Sequence, residues 1–113
     1  MGHYHDVANE LREPARALRA MIPETMTAFA GLHAATMQEG AIPARLKEVI
    51  ALTIAVVKRC DGCIVSHARG AARAGATAEE VAEAIAVAVL LDGGSATVWG
   101  PRAYAAYQEY RGE

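Results

Sequence analysis

The chain is short of aromatic side chains, which make up 5% of it, and it carries only two cysteines, Cys60 and Cys63. It also has no cluster of lysine and arginine and no long apolar run. Each shortage excludes something. The longest apolar run, residues 84–91, falls far short of the ~20 residues that span a bilayer as a helix, so no membrane role is expected. The formal net charge is −2 and the sequence pI is about 6.1, which argues against nucleic acid as a partner. The first residues, Met1-Gly2-His3-Tyr4-His5-Asp6, contain no basic stretch leading into an apolar one. No secretory signal is read there, and the cytoplasm is the default location. A secreted disulfide scaffold would need more cysteines, more widely spaced. A bridge between residues three apart closes a very small loop and adds little chain-entropy stabilisation. A chemical purpose for the pair is therefore stronger than a structural one.

What is present is helix-forming. Hydrophobic residues account for 53% of the 113 residues, and they are mostly alanine and aliphatic side chains. Alanine is the best helix former and lets helices approach closely. No repeat, linker or low-complexity tract divides the chain, so a single domain over residues 1–113 is expected. Alternating β-branched runs bounded by tight turns are missing, and the fold class is read as all-α.

About six helices are expected. The first covers residues 6–21, with Asp6 as its cap and Pro14 as a kink or break. Pro23 opens a second, to about residue 37, with Gly40 beyond its end. Pro43 opens a third, to about Lys58, along which Leu46, Val49, Ile50, Thr53, Ile54 and Val57 recur at helical spacing. The fourth runs over residues 61–73, stopped by Gly75. Thr77 and Glu80 form a capping box for the fifth, to about residue 91. Asp92-Gly93-Gly94-Ser95 breaks that helix, and a last one covers residues 96–110, with Pro101 early in it. The third and fifth helices are apolar over much of their circumference. Such helices are buried in a core or at a subunit contact, so a homo-oligomer is expected.

The chemistry centres on Cys60-Asp61-Gly62-Cys63. A cysteine at the start of a helix has its thiolate stabilised by free backbone N–H groups and by the helix dipole. Two cysteines one turn apart can pass between dithiol and disulfide, one sulfur attacking and the other resolving. His67, four residues after Cys63, shares its helical face and can take the thiol proton. Glu48 lies twelve residues before Cys60, about 18 Å along a straight helix. A chain reversal near residues 59–62 would make the third and fourth helices antiparallel and set Glu48 level with residues 67–70. A carboxylate there would fix the imidazole tautomer. A metal site built from Cys60, Cys63, His67 and Glu48 is the competing reading. A structural zinc, however, draws its ligands from two such pairs, and there is no second one.

Glu48, Cys60, Cys63 and His67, in this order and spacing, resemble the signature of the AhpD-like alkylhydroperoxidase family, within the carboxymuconolactone decarboxylase superfamily. The flanking segments are similar too: Lys47-Glu48-Val49-Ile50-Ala51-Leu52, Arg59-Cys60-Asp61-Gly62-Cys63-Ile64, Ala74-Gly75-Ala76-Thr77 and Leu90-Leu91-Asp92-Gly93-Gly94. The likeness covers roughly residues 23–107. It implies an all-α fold assembled as trimers or hexamers. It implies Cys63 as the thiol that attacks a hydroperoxide, activated by His67 and Glu48, with Cys60 resolving the sulfenic acid as a disulfide. It implies a dithiol reductant, in some members a lipoylated protein, and no haem, flavin or metal. One position departs from the pattern: the best-studied peroxidases of the family carry a second histidine just before the attacking cysteine, and here that residue is Gly62. The departure leaves room for weaker peroxidase turnover or for another thiol–disulfide reaction. Helix-start logic alone also favours Cys60 as the more acidic thiol. Two other functions compete: a non-redox enzyme of the lactone-decarboxylase type, and a non-catalytic, redox-sensing oligomeric module.

The remaining candidates read as structural. His3 and His5 belong to a solvated N-terminal tail. His33 is read as packing or hydrogen-bonded, with a wall of the redox pocket as the alternative. Trp99, Tyr104, Tyr107 and Tyr110 form a core or subunit-contact stripe. Gly93-Gly94 lacks the partners of a phosphate loop.

Overall fold

In a computed structural model, which describes residues 2–113, the chain is all-helical: α1 (His3–Met21), α2 (Pro23–Thr36), α3 (Ala44–Lys58), α4 (Asp61–Arg73), α5 (Ala78–Asp92) and α6 (Ala96–Arg111), with a 3-10 turn at Gly93–Ser95. The turn joins α5 to α6 without a non-helical residue, so the helical stretches number five rather than six, the last being Ala78–Arg111. By length and composition that stretch could cross a membrane. It is folded back on itself: a Cβ placed on Gly100 would lie 2.8 Å from Ile85 Cγ2, although fifteen residues of straight helix would separate the two by about 22 Å.

α4 is the central element, packed most extensively on α3 and α6. Its buried face, Ile64, Val65, Ala68 and Ala71, meets Val49, Leu52, Ala55 and Val56 of α3. Ala103, Ala106 and Tyr107 of α6 belong to the same core. Small residues at these contacts let the axes approach closely. The Tyr107 hydroxyl, carried into the core, donates to the Ala76 carbonyl at 2.6 Å. Tyr110 is also buried and Tyr104 and Trp99 pack beside them, so the aromatic stripe of α6 is core.

The α3–α4 hairpin depends on Arg59. Its φ of 54° is left-handed, the Arg59 N–H donates to the Val56 carbonyl at 3.1 Å, and the Cys60 N–H donates to the Ala55 carbonyl at 3.2 Å. This pair of bonds is a Schellman closure, a position where glycine is usual. It satisfies the last carbonyls of α3 and turns the chain directly into α4. At the other end of the layer, Thr77 and Glu80 form the capping box of α5, and the Glu80 carboxylate also accepts from Arg45 Nε and Nη2 at 3.0–3.2 Å. That ion pair ties the start of α5 to the start of α3.

The N-terminus differs from the expected loose tail. α1 begins at His3, with Gly2 rather than Asp6 at its cap, because the Glu109 carboxylate of α6 accepts from the N–H groups of Tyr4 and His5 at 3.0 and 3.1 Å. Those are orphan donors of a first turn, so a distant side chain does the work of a cap. The His5 ring bridges Glu109 at 2.8 Å and Glu113 at 2.9 Å. Pro14 does not break α1. The carbonyl deprived of its partner, that of Glu10, lies on an exposed stretch where water can take it.

Apolar side chains remain on the outside. Ile50, Ile54 and Val57 of α3 and Val87, Leu90 and Leu91 of α5 are exposed, Leu90 and Leu91 by 80% and 82%. α2 has no buried residue at all.

Candidate redox site

Cys60 and Cys63 are joined as a disulfide at the start of α4, with their Cα atoms 5.2 Å apart. Cys60 is the N-cap residue, and its Sγ accepts from the backbone N–H of Cys63 at 3.2 Å. An N-cap sulfur carrying such a bond is stabilised as a thiolate, so it is the better leaving group when the disulfide is opened. Both cysteines are partly exposed.

Because Arg59 reverses the chain, Glu48 of α3 faces α4. Glu48 Oε2 lies 2.9 Å from His67 Nδ1, and the two side chains retain 14% and 19% of their exposure. An ionised carboxylate only accepts, so Nδ1 carries the proton and Nε2 is left with its lone pair. His67 is one helical turn beyond Cys63 on the same face. The carboxylate fits against α4 because residue 70 is glycine: a Cβ there would fall 2.8 Å from Glu48 Oε1 and closer still to the other carboxylate atoms. Gly70 is a site residue with no motif signal of its own, and only its place three residues after His67 hints at a requirement.

His33 of α2 joins the site. Its ring stacks on that of His67, with centroids 6.0 Å apart and planes inclined by 18°. Ligand-capable atoms of His33, Glu48 and His67 all lie within 4.8 Å of one another. The sequence favours packing or hydrogen bonding for His33. It is instead exposed, and its ring lies beside His67 and Glu48.

Gly62 is covered by α1. A Cβ on it would sit 3.2 Å from Leu11 Cδ1. A side chain at position 62 would therefore press first on the end of the Leu11 side chain. A groove of about 260 Å3 between α1 and α4 reaches the C-x-x-C turn at Gly62, with Leu11 and Val65 in its walls and Arg12 and Arg69 at its rim.

The sequence profile of the carboxymuconolactone decarboxylase family matches residues 23–111, the segment that holds every residue of this site. The chain belongs to that family. An uncharacterised protein of Cupriavidus necator is 38% identical over 96 residues, 85% of each chain. A protein described as uncharacterised protein 4 in the cox locus of Paracoccus denitrificans is 39% identical over 85 residues, 75% of this chain and 77% of its own. Among solved structures, an apo carboxymuconolactone decarboxylase family protein from Legionella pneumophila superposes with a TM-score of 0.91 at 31% identity, over 96% of both chains.

Proposed function

We propose that the protein is a thiol-dependent peroxidase, a disulfide oxidoreductase that reduces hydroperoxides with Cys63 as the attacking sulfur. The observation that carries this reading is the Glu48–His67 contact, on the helical face of Cys63 and one turn from a closed C-x-x-C disulfide. In the dithiol form, His67 Nε2 takes the Cys63 thiol proton, directly or through a water, while Glu48 stabilises the imidazolium. The thiolate attacks the terminal peroxide oxygen, the O–O bond breaks, and the alcohol leaves with the proton from His67. Cys63 is then a sulfenic acid. The Cys60 sulfur attacks it, water leaves, and the disulfide forms. A dithiol donor, such as a lipoylated protein, attacks Cys63. Cys60 is expelled, helped by its bond from the Cys63 N–H, and the donor's second thiol then attacks its own bridged sulfur, releasing Cys63 as a thiol and leaving the donor as a disulfide. No haem, flavin or metal is needed for these steps.

The protein acts as a homo-oligomer, a trimer or hexamer, with the exposed apolar residues of α3 and α5 at subunit contacts. A non-redox decarboxylase reaction is the second reading, favoured by the family's name, and activity that survives complete thiol alkylation would select it. The test of the main reading is peroxide consumption with dihydrolipoamide as donor. Wild type is expected to turn over and Cys63→Ser to be inactive, while Cys60→Ser accumulates a sulfenic acid on Cys63 that a dimedone reagent labels. Turnover in Cys63→Ser would sink the assignment of the attacking sulfur.

A further inference from the structure

We propose that His33, Glu48 and His67 form a site for a divalent transition-metal ion of the zinc class. The three side chains come from three helices, α2, α3 and α4, and converge with their ligand atoms within 4.8 Å of one another. Two imidazoles and one carboxylate are a ligand set that zinc accepts, with an open fourth position. The charge balance is suited to a cation. Among the described residues, no lysine or arginine pairs with Glu48, whose only ionic partner is His67. The two basic residues that precede it on α3 are engaged elsewhere: Lys47 Nζ donates to the carbonyls of Thr36 and Gln38, and Arg45 is held by Glu80.

The geometry needs a modest closure. Metal–ligand bonds of about 2.0–2.2 Å set tetrahedral ligand atoms roughly 3.4 Å apart. Glu48 Oε2 and His67 Nδ1 are 2.9 Å apart across a hydrogen bond, so an ion held by that pair replaces the shared proton and opens them slightly, and the third ligand has to move in. His33 can do so, because it is exposed and sits on a helix with no buried residue to hold it rigidly. The same exposure gives an ion its route in. Bound metal would occupy the imidazole lone pair or displace the carboxylate that orients the ring. Metal binding and acceptance of the Cys63 proton would then be mutually exclusive. That competition presupposes the relay proposed above, whereas the binding does not.

The test uses the oxidised protein, in which Cys60 and Cys63 are locked as a disulfide and offer no thiolate. Calorimetric titration with Zn2+, and the visible d–d absorption of added Co2+, should report one ion per chain. His33→Ala, on an exposed position that leaves folding intact, should weaken binding tenfold or more, and so should His67→Ala. The Co2+ spectrum should show nitrogen and oxygen ligation without a sulfur charge-transfer band. Absence of binding to the oxidised wild type would overturn the proposal. It would also be overturned by binding that survives His33→Ala and His67→Ala but disappears in His3→Ala/His5→Ala, which would put the ion at the N-terminus. None of these measurements depends on turnover, so a protein inactive toward peroxides would still show whether it binds the ion at these three residues.

Discussion

The carboxylate of Glu48 lies in the space that a side chain at residue 70 would fill, and this vacancy on α4 lets it reach His67 across the hairpin. Gly70 sits inside a helix, where alanine is ordinarily favoured by about 0.5–1 kcal/mol. Gly70→Ala is nevertheless expected to slow peroxide-driven oxidation of the thiols, because Glu48 must leave the imidazole. In a Glu48→Ala background the same substitution should regain its ordinary helix-stabilising sign. A double-mutant cycle of urea midpoints and oxidation rates measures this coupling.

Arg59 adopts a left-handed φ that costs an L side chain about 1 kcal/mol. Arg59→Gly is expected to raise unfolding stability by that amount or somewhat less, since glycine also adds freedom to the unfolded chain. Chemical denaturation checks it. A loss of stability would mean that the arginine side chain contributes something the backbone geometry does not reveal.

Installing the family's histidine at Gly62 should fail on its own. Its Cβ would meet Leu11 Cδ1 at 3.2 Å, so that side chain must give way before the ring can enter the groove between α1 and α4. Gly62→His is expected to destabilise the protein by about 1–3 kcal/mol through overpacking, and Leu11→Ala in the same chain should recover part of that loss. Thermal melts of the single and double variants decide the matter.

The clamp between the first and last helices should be pH-dependent. Hydrogen bonds to Glu113 and Glu109 raise the His5 pKa above 6.5. Burial pushes the Glu109 pKa up, but the N–H groups of Tyr4 and His5 and the His5 ring outweigh it, and the net shift is below 4.5. The histidine contribution is fully present below pH 6.5 and is lost as pH rises through the raised pKa. The carboxylate contribution is present above pH 4.5 and is lost as pH falls through the lowered one. The difference in melting temperature between wild type and Glu109→Gln is therefore expected to be greatest between pH 4.5 and 6.5 and to shrink on either side. A difference that does not vary with pH would contradict the clamp.

The exposed faces of α3 and α5 should hold subunits together. Leu90→Glu combined with Ile54→Glu changes residues that are 80% and 51% exposed in the single chain, so folding should survive while assembly is lost. Sedimentation should show the wild type as a trimer or hexamer and the double variant as a monomer. A monomeric wild type would remove the assembly from the account.

Much of this architecture is legible in the residues. The Thr77/Glu80 capping box and the proline at the start of α2 mark helix ends through local chemistry, and the two ends lie where those residues indicate. α4 covers the same residues, 61–73, as the sequence pattern predicts. The hairpin follows from the short reach between Lys58 and Asp61. Its left-handed pivot does not, because arginine carries no signal for that conformation. The N-terminal cap is illegible for a different reason: Glu109 is more than a hundred residues from the N–H groups it accepts from. The break at residues 92–95 reads in sequence as a loop; the chain does reverse there through the positive φ of Gly93, but by a 3-10 turn that leaves no non-helical residue between α5 and α6. In the site, the Glu48–His67 juxtaposition follows from spacing once the chain reverses. His33 and Gly70 join it only through the packing of α2 and α4, which no local pattern encodes.

Stopped-flow titration of the reduced protein with one equivalent of hydroperoxide bears most directly on the chemistry. Both thiols of each chain should disappear in a single phase, and Glu48→Gln should slow that phase by about 100-fold or more while leaving its amplitude intact. An unchanged thiol count after peroxide, or a rate indifferent to Glu48, would contradict the account.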